Sequence, residues 1–202
     1  YHEGTPWVCF GFEPLCALSD IPLVGHHNIS NVLAALAIGH AMGLPYEKLI
    51  EGVKTLKGLP HRCELVAVRN GVRFVNDSKG TNVGATVAAL EGLSDGKNII
   101  LIAGGDGKGQ AFAPLATAIG QFAKHTVLIG RDATAIDKAL DATASRSFAN
   151  SMDAAVRTAT EAAAPGDTVL LSPACASLDM YADYRARGEA FTATVRACEE
   201  VS

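Results

Sequence analysis

No stretch of the sequence approaches the roughly 18 consecutive apolar residues of a membrane-spanning helix, although 49% of its 202 residues are hydrophobic. No basic segment followed by an apolar one opens it, so a secretory leader is not expected. Clustered Lys and Arg are missing as well. The 17 basic residues are outnumbered by 21 acidic ones, leaving a net charge of -4, which excludes a surface built to neutralise nucleic-acid phosphates. A mononucleotide needs only a few local contacts and stays compatible with this balance. No Cys-x-x-Cys pair occurs among Cys9, Cys16, Cys63, Cys175 and Cys198, and five thiols cannot all pair within one chain. A reduced, cytoplasmic setting is expected. The chain opens on Tyr1, not Met, and its first 25 residues read as strand and loop without a helix, so a piece of a longer protein is expected.

Two glycine-rich signatures fail on inspection. Gly104 to Lys108 lacks the long glycine spacing of a phosphate loop, and Lys108 is followed by Gly109 where Ser or Thr is needed. Gly105-Asp106-Gly107 has no third glycine at Gln110, so it is no dinucleotide fingerprint.

What is present is a clear alternation. Ile29, Val32 and Leu36 recur at helical spacing over 28–42, Gly43 stops that helix, and Pro45 opens a second one through Leu49, Val53 and Leu56. Gly58-Leu59-Pro60 reads as a linker, which divides the chain into 1–58 and 59–202. Strands 64–68 and 72–76 flank Asn70-Gly71, a strong hairpin signal. Strands 98–103, 126–129 and 168–171 then alternate with helices 82–91, 112–122, 132–140, 151–163 and a closing helix from about Tyr181 to Glu200. Continuous apolar strands such as Ile99-Ile100-Leu101-Ile102 belong in sheets covered on both faces. The fold class is therefore α/β: a mostly parallel, Rossmann-like sheet with helices on both faces and one antiparallel hairpin edge, preceded by a remnant of another domain.

Ligands of open parallel sheets sit beyond the carboxyl ends of the strands. There the sequence places Asp77-Ser78-Lys79-Gly80-Thr81-Asn82, Gly104-Gly105-Asp106-Gly107-Lys108, Gly130-Arg131-Asp132 and Ser172-Pro173-Ala174-Cys175-Ala176-Ser177. Turn-making explains any one of these loops. Four on one edge weaken that explanation, and Lys79, Lys108 and Arg131 beside helix amino termini suit an anionic ligand. Asn28 and Asn31 share a helix face, where two carboxamides could read the edge of a base; the plainer alternative is a helix cap. Adjacent His26 and His27 cannot converge on one metal ion. His61-Arg62 sits in the linker, where an arginine could reach a phosphate or a ribose, or simply make a surface turn. Cys175 reads as a packed thiol, not a nucleophile.

Gly25-His26-His27-Asn28-Ile29-Ser30-Asn31, Gly58-Leu59-Pro60-His61-Arg62, Asn76 to Asn82, Gly104 to Lys108 and Leu171 to Asp179 together resemble the Mur ligase family in order and spacing. The resemblance covers nearly the whole chain. Ser-Pro-Ala-Cys-Ala-Ser-Leu-Asp and Gly-Gly-Asp-Gly-Lys look like the branch that adds D-glutamate. The resemblance implies a cytoplasmic, bacterial, ATP-dependent acid–D-amino-acid ligase of peptidoglycan synthesis, acting through an acyl phosphate with ATP, D-glutamate, UDP-N-acetylmuramoyl-L-alanine and Mg2+. It implies that 1–58 is the tail of a central ATP-binding domain and 59–202 the D-glutamate domain, with a hinge at 58–62. ATP would be held by Asn28, Asn31, Arg62, Asp77 and Lys79, and D-glutamate by Thr81, Lys108, Ser177, Leu178 and Tyr184. Lys108 and Asp77 would serve the catalytic step, and the enzyme would be a monomer.

The family's UDP-binding domain, Walker loop and magnesium ligands have no match in this sequence. The chain alone is therefore expected to be inactive, with no metal site of its own. Three rivals share parts of the pattern. Another amide ligase of the Mur and folylpolyglutamate group would keep the asparagines and change the amino acid. A non-catalytic nucleotide- or amino-acid-binding module would explain the incomplete phosphate loop. A nicotinamide dehydrogenase lacks its fingerprint here.

Overall fold

The computed structural model describes residues 4–23 and 25–197, and the chain separates into two compact units, Tyr1–Gly58 and Leu59–Ser202. In the first unit, β1 (Trp7–Phe10) and β2 (Glu13–Ala17) form an antiparallel ribbon. A short 3-10 turn, Leu18–Asp20, follows. Helices α1 (His26–Ala41) and α2 (Tyr46–Lys54) pack together over a core of Val8, Cys16, Ile21, Val32, Leu36 and Val53. They approach closely at Gly39, where a Cβ would stand 2.5 Å from Leu49 Cδ2.

The second unit opens with the hairpin of β3 (Glu64–Arg69) and β4 (Val72–Asn76). Its turn residues Asn70 and Gly71 have φ of 48° and 76°, the left-handed pair that a two-residue turn between twisted strands requires. The chain continues through α3 (Val83–Leu93), β5 (Ile99–Gly104), α4 (Ala113–Phe122), β6 (Ala123–Ile129), α5 (Ala133–Ala139), β7 (Arg146–Phe148), α6 (Met152–Ala162), β8 (Thr168–Leu171) and α7 (Tyr184–Ala197). The six strands lie in the order β3-β4-β8-β5-β6-β7, with only the β3–β4 pair antiparallel.

Three elements differ from the sequence expectation. β6 begins at Ala123, not 126, because Lys124 and His125 disguise its first half. β7 was not expected at all: it is three residues long and lies at the sheet edge, too short for an apolar pattern. Helix α7 starts at Tyr184 because the Asp183 side chain accepts the Ala186 N–H at 2.8 Å, a capping bond that marks a helix start. The expected extension to Glu200, like Cys198, lies outside the described residues.

Both sheet faces are covered. Phe74, Ile100, Ile102, Val127, Ile129, Val169 and Leu171 pack against Met152, Val156, Phe191 and Val195 of α6 and α7. Alternation along the strands turns Val75, Leu101, Leu128 and Leu170 to the other face, where Leu90, Leu115, Ile119 and Ile136 of α3, α4 and α5 are also buried. Strand β8 returns last and fills the gap between β4 and β5, so the connections diverge on its two sides. Such a divergence opens a crevice at the carboxyl edge. Among the described residues, no helix is long and apolar enough to cross a membrane.

Candidate functional site

Three loops meet at that edge: 77–82 after β4, 105–108 after β5 and 172–178 after β8. Main-chain bonds stitch them together. The Ala174 N–H donates to Gly80 O at 2.9 Å and the Gly104 N–H to Pro173 O at 2.8 Å, while Asp106 and Ala176 exchange two bonds of 2.9 Å. This closeness needs glycine. Gly105 has φ of 131°, and a Cβ there would stand 2.2 Å from Ala176 O.

A buried arginine braces the loops from behind. Arg187 is 1% exposed; its Nη2 donates to Ser78 O at 2.9 Å, Nη1 to Cys175 O at 3.1 Å and Nε to Ser78 Oγ at 3.0 Å. Burial lowers its pKa to about 10, which leaves it charged at neutral pH. Asn76 adds a second brace, its Nδ2 lying 3.0 Å from Gly188 O and its Oδ1 accepting the Ser78 N–H at 3.1 Å. Gln110 adds a third: Nε2 donates to Ala174 O at 2.6 Å and Oε1 accepts the Val83 N–H at 3.1 Å.

The sequence-selected residues fall into distinct settings. Asp77 is buried, and both its oxygens are engaged: Oδ1 accepts the Cys63 N–H at 3.2 Å and Oδ2 the Ser172 hydroxyl at 2.7 Å. Loss of water raises its pKa, against the lowering effect of those bonds and of the nearby, exposed Arg62. A folded-state pKa above the unfolded one means that ionised Asp77 opposes folding at neutral pH. Asp77→Asn is therefore expected to leave the melting temperature of the chain at pH 7 unchanged or higher. Thermal melts of the two forms check this, and a large fall would show that the bonds from Cys63 and Ser172 outweigh the cost of burying the charge.

Lys79 lies with Nζ 4.2 Å from the centroid of the Tyr184 ring, so the cation and the aromatic expected to serve different substrates are neighbours. Thr81 is half-buried and Ser177 buried, whereas Leu178 is 65% exposed. Lys108 is exposed and left-handed, with φ of 50°, and none of the ion pairs between described residues involves its ammonium. Arg131, counted among the anion-binding cations, is instead paired with Asp106 at 3.2 Å. Cys175 is buried and its thiol is pushed up to about 12, chiefly by burial, so it is no nucleophile at neutral pH. In the first unit, Asn31 Nδ2 donates to Asn28 Oδ1 at 3.3 Å, which places the two carboxamides side by side. The side chains of His26 and His27 lie outside the described residues.

Sequence reasoning passed over Arg187, Ser172 and Gln110. A signal existed for the first: Arg187, Phe191 and Val195 recur every fourth residue and are all buried on α7, a charge on an apolar stripe. The braces thus come from three kinds of place: Asn76 closes β4, Gln110 lies in the connection between β5 and α4, and Arg187 projects from α7.

The sequence model of the family described as "Mur ligase, glutamate ligase domain" matches residues 61–175. The chain belongs to the Mur ligase family. Among curated Mur ligase relatives, proteins named UDP-N-acetylmuramoylalanine–D-glutamate ligase are 54% identical in Marinobacter nauticus over 96% of this chain, and 47% identical in Pseudomonas aeruginosa over 96%. The chain spans only 43% of the Marinobacter protein's length and 44% of the Pseudomonas protein's. Solved structures share the Mur ligase fold. A UDP-N-acetylmuramate–alanine ligase from Thermotoga maritima has a TM-score of 0.65 at 15% identity, over 87% of this chain and 39% of its own. A Mycobacterium tuberculosis folylpolyglutamate synthase complexed with ADP has a TM-score of 0.65 at 16%, over 91% of this chain and 42% of its own.

Proposed function

We propose that this chain is the carboxyl-terminal part of a bacterial, cytoplasmic UDP-N-acetylmuramoylalanine–D-glutamate ligase and that its second unit holds D-glutamate. The observation that supports this most is the stitched carboxyl edge. It presents the exposed Lys108 cation, which enters no ion pair between described residues, on a loop bonded at Asp106 to Ala176, next to Ser177. A dicarboxylate needs a cation at one end and neutral donors at the other. Lys108 supplies the first; Thr81, Ser177 and loop amides supply the second, with Leu178 and Tyr184 as the walls.

On this reading the whole enzyme uses ATP to phosphorylate the alanine carboxylate of UDP-N-acetylmuramoyl-L-alanine. The glutamate amine then attacks the acyl phosphate, forming the amide and expelling phosphate. The chain's contribution is positioning, because holding the amine in line with the acyl carbon replaces a bimolecular encounter. Asn28 and Asn31 would read adenine, and Arg62 and Lys79 would face ribose and phosphates. Asp77, with both oxygens taken, would serve catalysis by ordering the loop that carries Lys79 and Thr81. Among the described residues, no three His, Cys, Asp or Glu side chains gather to hold a metal ion.

The test is phosphate release by the full-length protein with ATP and UDP-N-acetylmuramoyl-L-alanine. D-glutamate is expected to support it, and L-glutamate and meso-diaminopimelate are not. Equal rates with both glutamate enantiomers, or a preference for a folyl acceptor, would replace this reading with that of another amide ligase.

A further inference from the structure

We propose that Asp106 is a positioning residue that sets both Lys108 and Ser177 for the amino-acid substrate, with Arg131 as the counter-charge that keeps Lys108 available. The inference rests on the reading of Lys108 as a D-glutamate ligand and adds to it the device that places the ligand.

Three interactions converge on this one residue. Its Oδ1 accepts the Lys108 N–H at 3.0 Å, the bond with which an aspartate folds the chain back two residues on. Lys108 needs that support, since φ of 50° is disfavoured for a residue with a Cβ. The main chain of Asp106 meanwhile exchanges both of its bonds with Ala176, the residue before Ser177. One side therefore determines where Lys108 leaves the loop, and the other determines where Ser177 stands.

The second oxygen explains the arginine. Asp106 Oδ2 lies 3.2 Å from Arg131 Nη1, and the Arg131 main-chain N–H donates to Asp179 Oδ2 at 2.7 Å, which fixes the backbone from which the guanidinium reaches Asp106. A free carboxylate two residues from Lys108 would draw the ammonium to itself; Arg131 occupies it. The flanking glycines leave the loop little room to compensate. A Cβ at Gly105 would meet Ala176 O at 2.2 Å, and one at Gly107 would meet Phe112 Cζ at 2.7 Å. The exposed Arg131 thus neutralises a positioning group instead of binding substrate.

The experiment measures KM for D-glutamate and for ATP in the full-length enzyme with D106A, D106N, K108A and the D106A/K108A pair. D106A is expected to raise the D-glutamate KM on the order of tenfold, with the ATP KM moving less than about twofold. D106N, whose amide oxygen still accepts the Lys108 N–H, recovers most of that loss. In the K108A background D106A adds little, because residues acting through one another are not additive. An unchanged D-glutamate KM in D106A, equal rises for both substrates, or effects that multiply in the pair would overturn the inference. If K108A itself leaves the D-glutamate KM unchanged, the proposed glutamate site falls with it, an outcome distinct from a failure of Asp106 alone.

Discussion

Alanine at position 108 is expected to raise the KM of the full-length enzyme for its proposed substrate D-glutamate by about 10- to 100-fold while leaving the KM for the proposed cosubstrate ATP nearly unchanged. The magnitude is that of one charge-assisted hydrogen bond, about 1.5 to 3 kcal/mol. Truncation should cost the fold little, because the side chain is exposed and makes no ion pair between described residues. Arginine at 108 keeps the charge but enlarges the head group, and a partial recovery is expected from it. Steady-state kinetics with each substrate varied in turn separates these cases. A K108A enzyme with a normal D-glutamate KM would place the carboxylate elsewhere on the edge.

The second large effect is on stability. Arg187→Met keeps an unbranched apolar stem but leaves the buried Ser78 and Cys175 carbonyls without their donor. An orphaned buried acceptor costs about 1 to 3 kcal/mol, so a loss of about 2 to 5 kcal/mol is expected. For a chain of this size that lowers the melting temperature by roughly 5 to 15 °C. The loops that carry Lys79 and Ser177 lose their common brace, so activity of the full-length enzyme should fall at temperatures where the protein is still folded. Thermal melts of the chain together with low-temperature kinetics check both parts. An unchanged melting temperature would mean that Asn76, Gln110 and the main-chain bonds suffice to hold the loops.

Much of this arrangement was legible in the residues themselves. Asn70-Gly71 declared a two-residue hairpin because few other pairs accept two left-handed conformations, and the unbroken apolar run at Ile99 declared a strand buried on both faces. Small and charged residues after successive strands declared the crevice, since parallel strands must end on the same edge. What escaped was set by packing at a distance. β7 has only three residues and borrows its definition from pairing with β6. Arg187 reads as one more solvated helix charge until the sheet edge and the α7 stripe bury it. Arg131 and Lys108 look alike in sequence, both cations just past a strand. Only the placement of Asp106 shows that Arg131 is consumed by an ion pair while Lys108 stays exposed.

Residues Leu59–Ser202 are proposed to contain a site for D-glutamate. The most direct test of this proposal is a titration of the 202-residue chain with D-glutamate and, separately, L-glutamate, following the backbone amide resonances of Thr81, Lys108 and Ser177. Saturable shifts at all three are expected with the D enantiomer, and weaker or no shifts with the L form. Shifts that appear equally with both enantiomers, or only at residues away from the carboxyl edge of the sheet, would contradict the proposal.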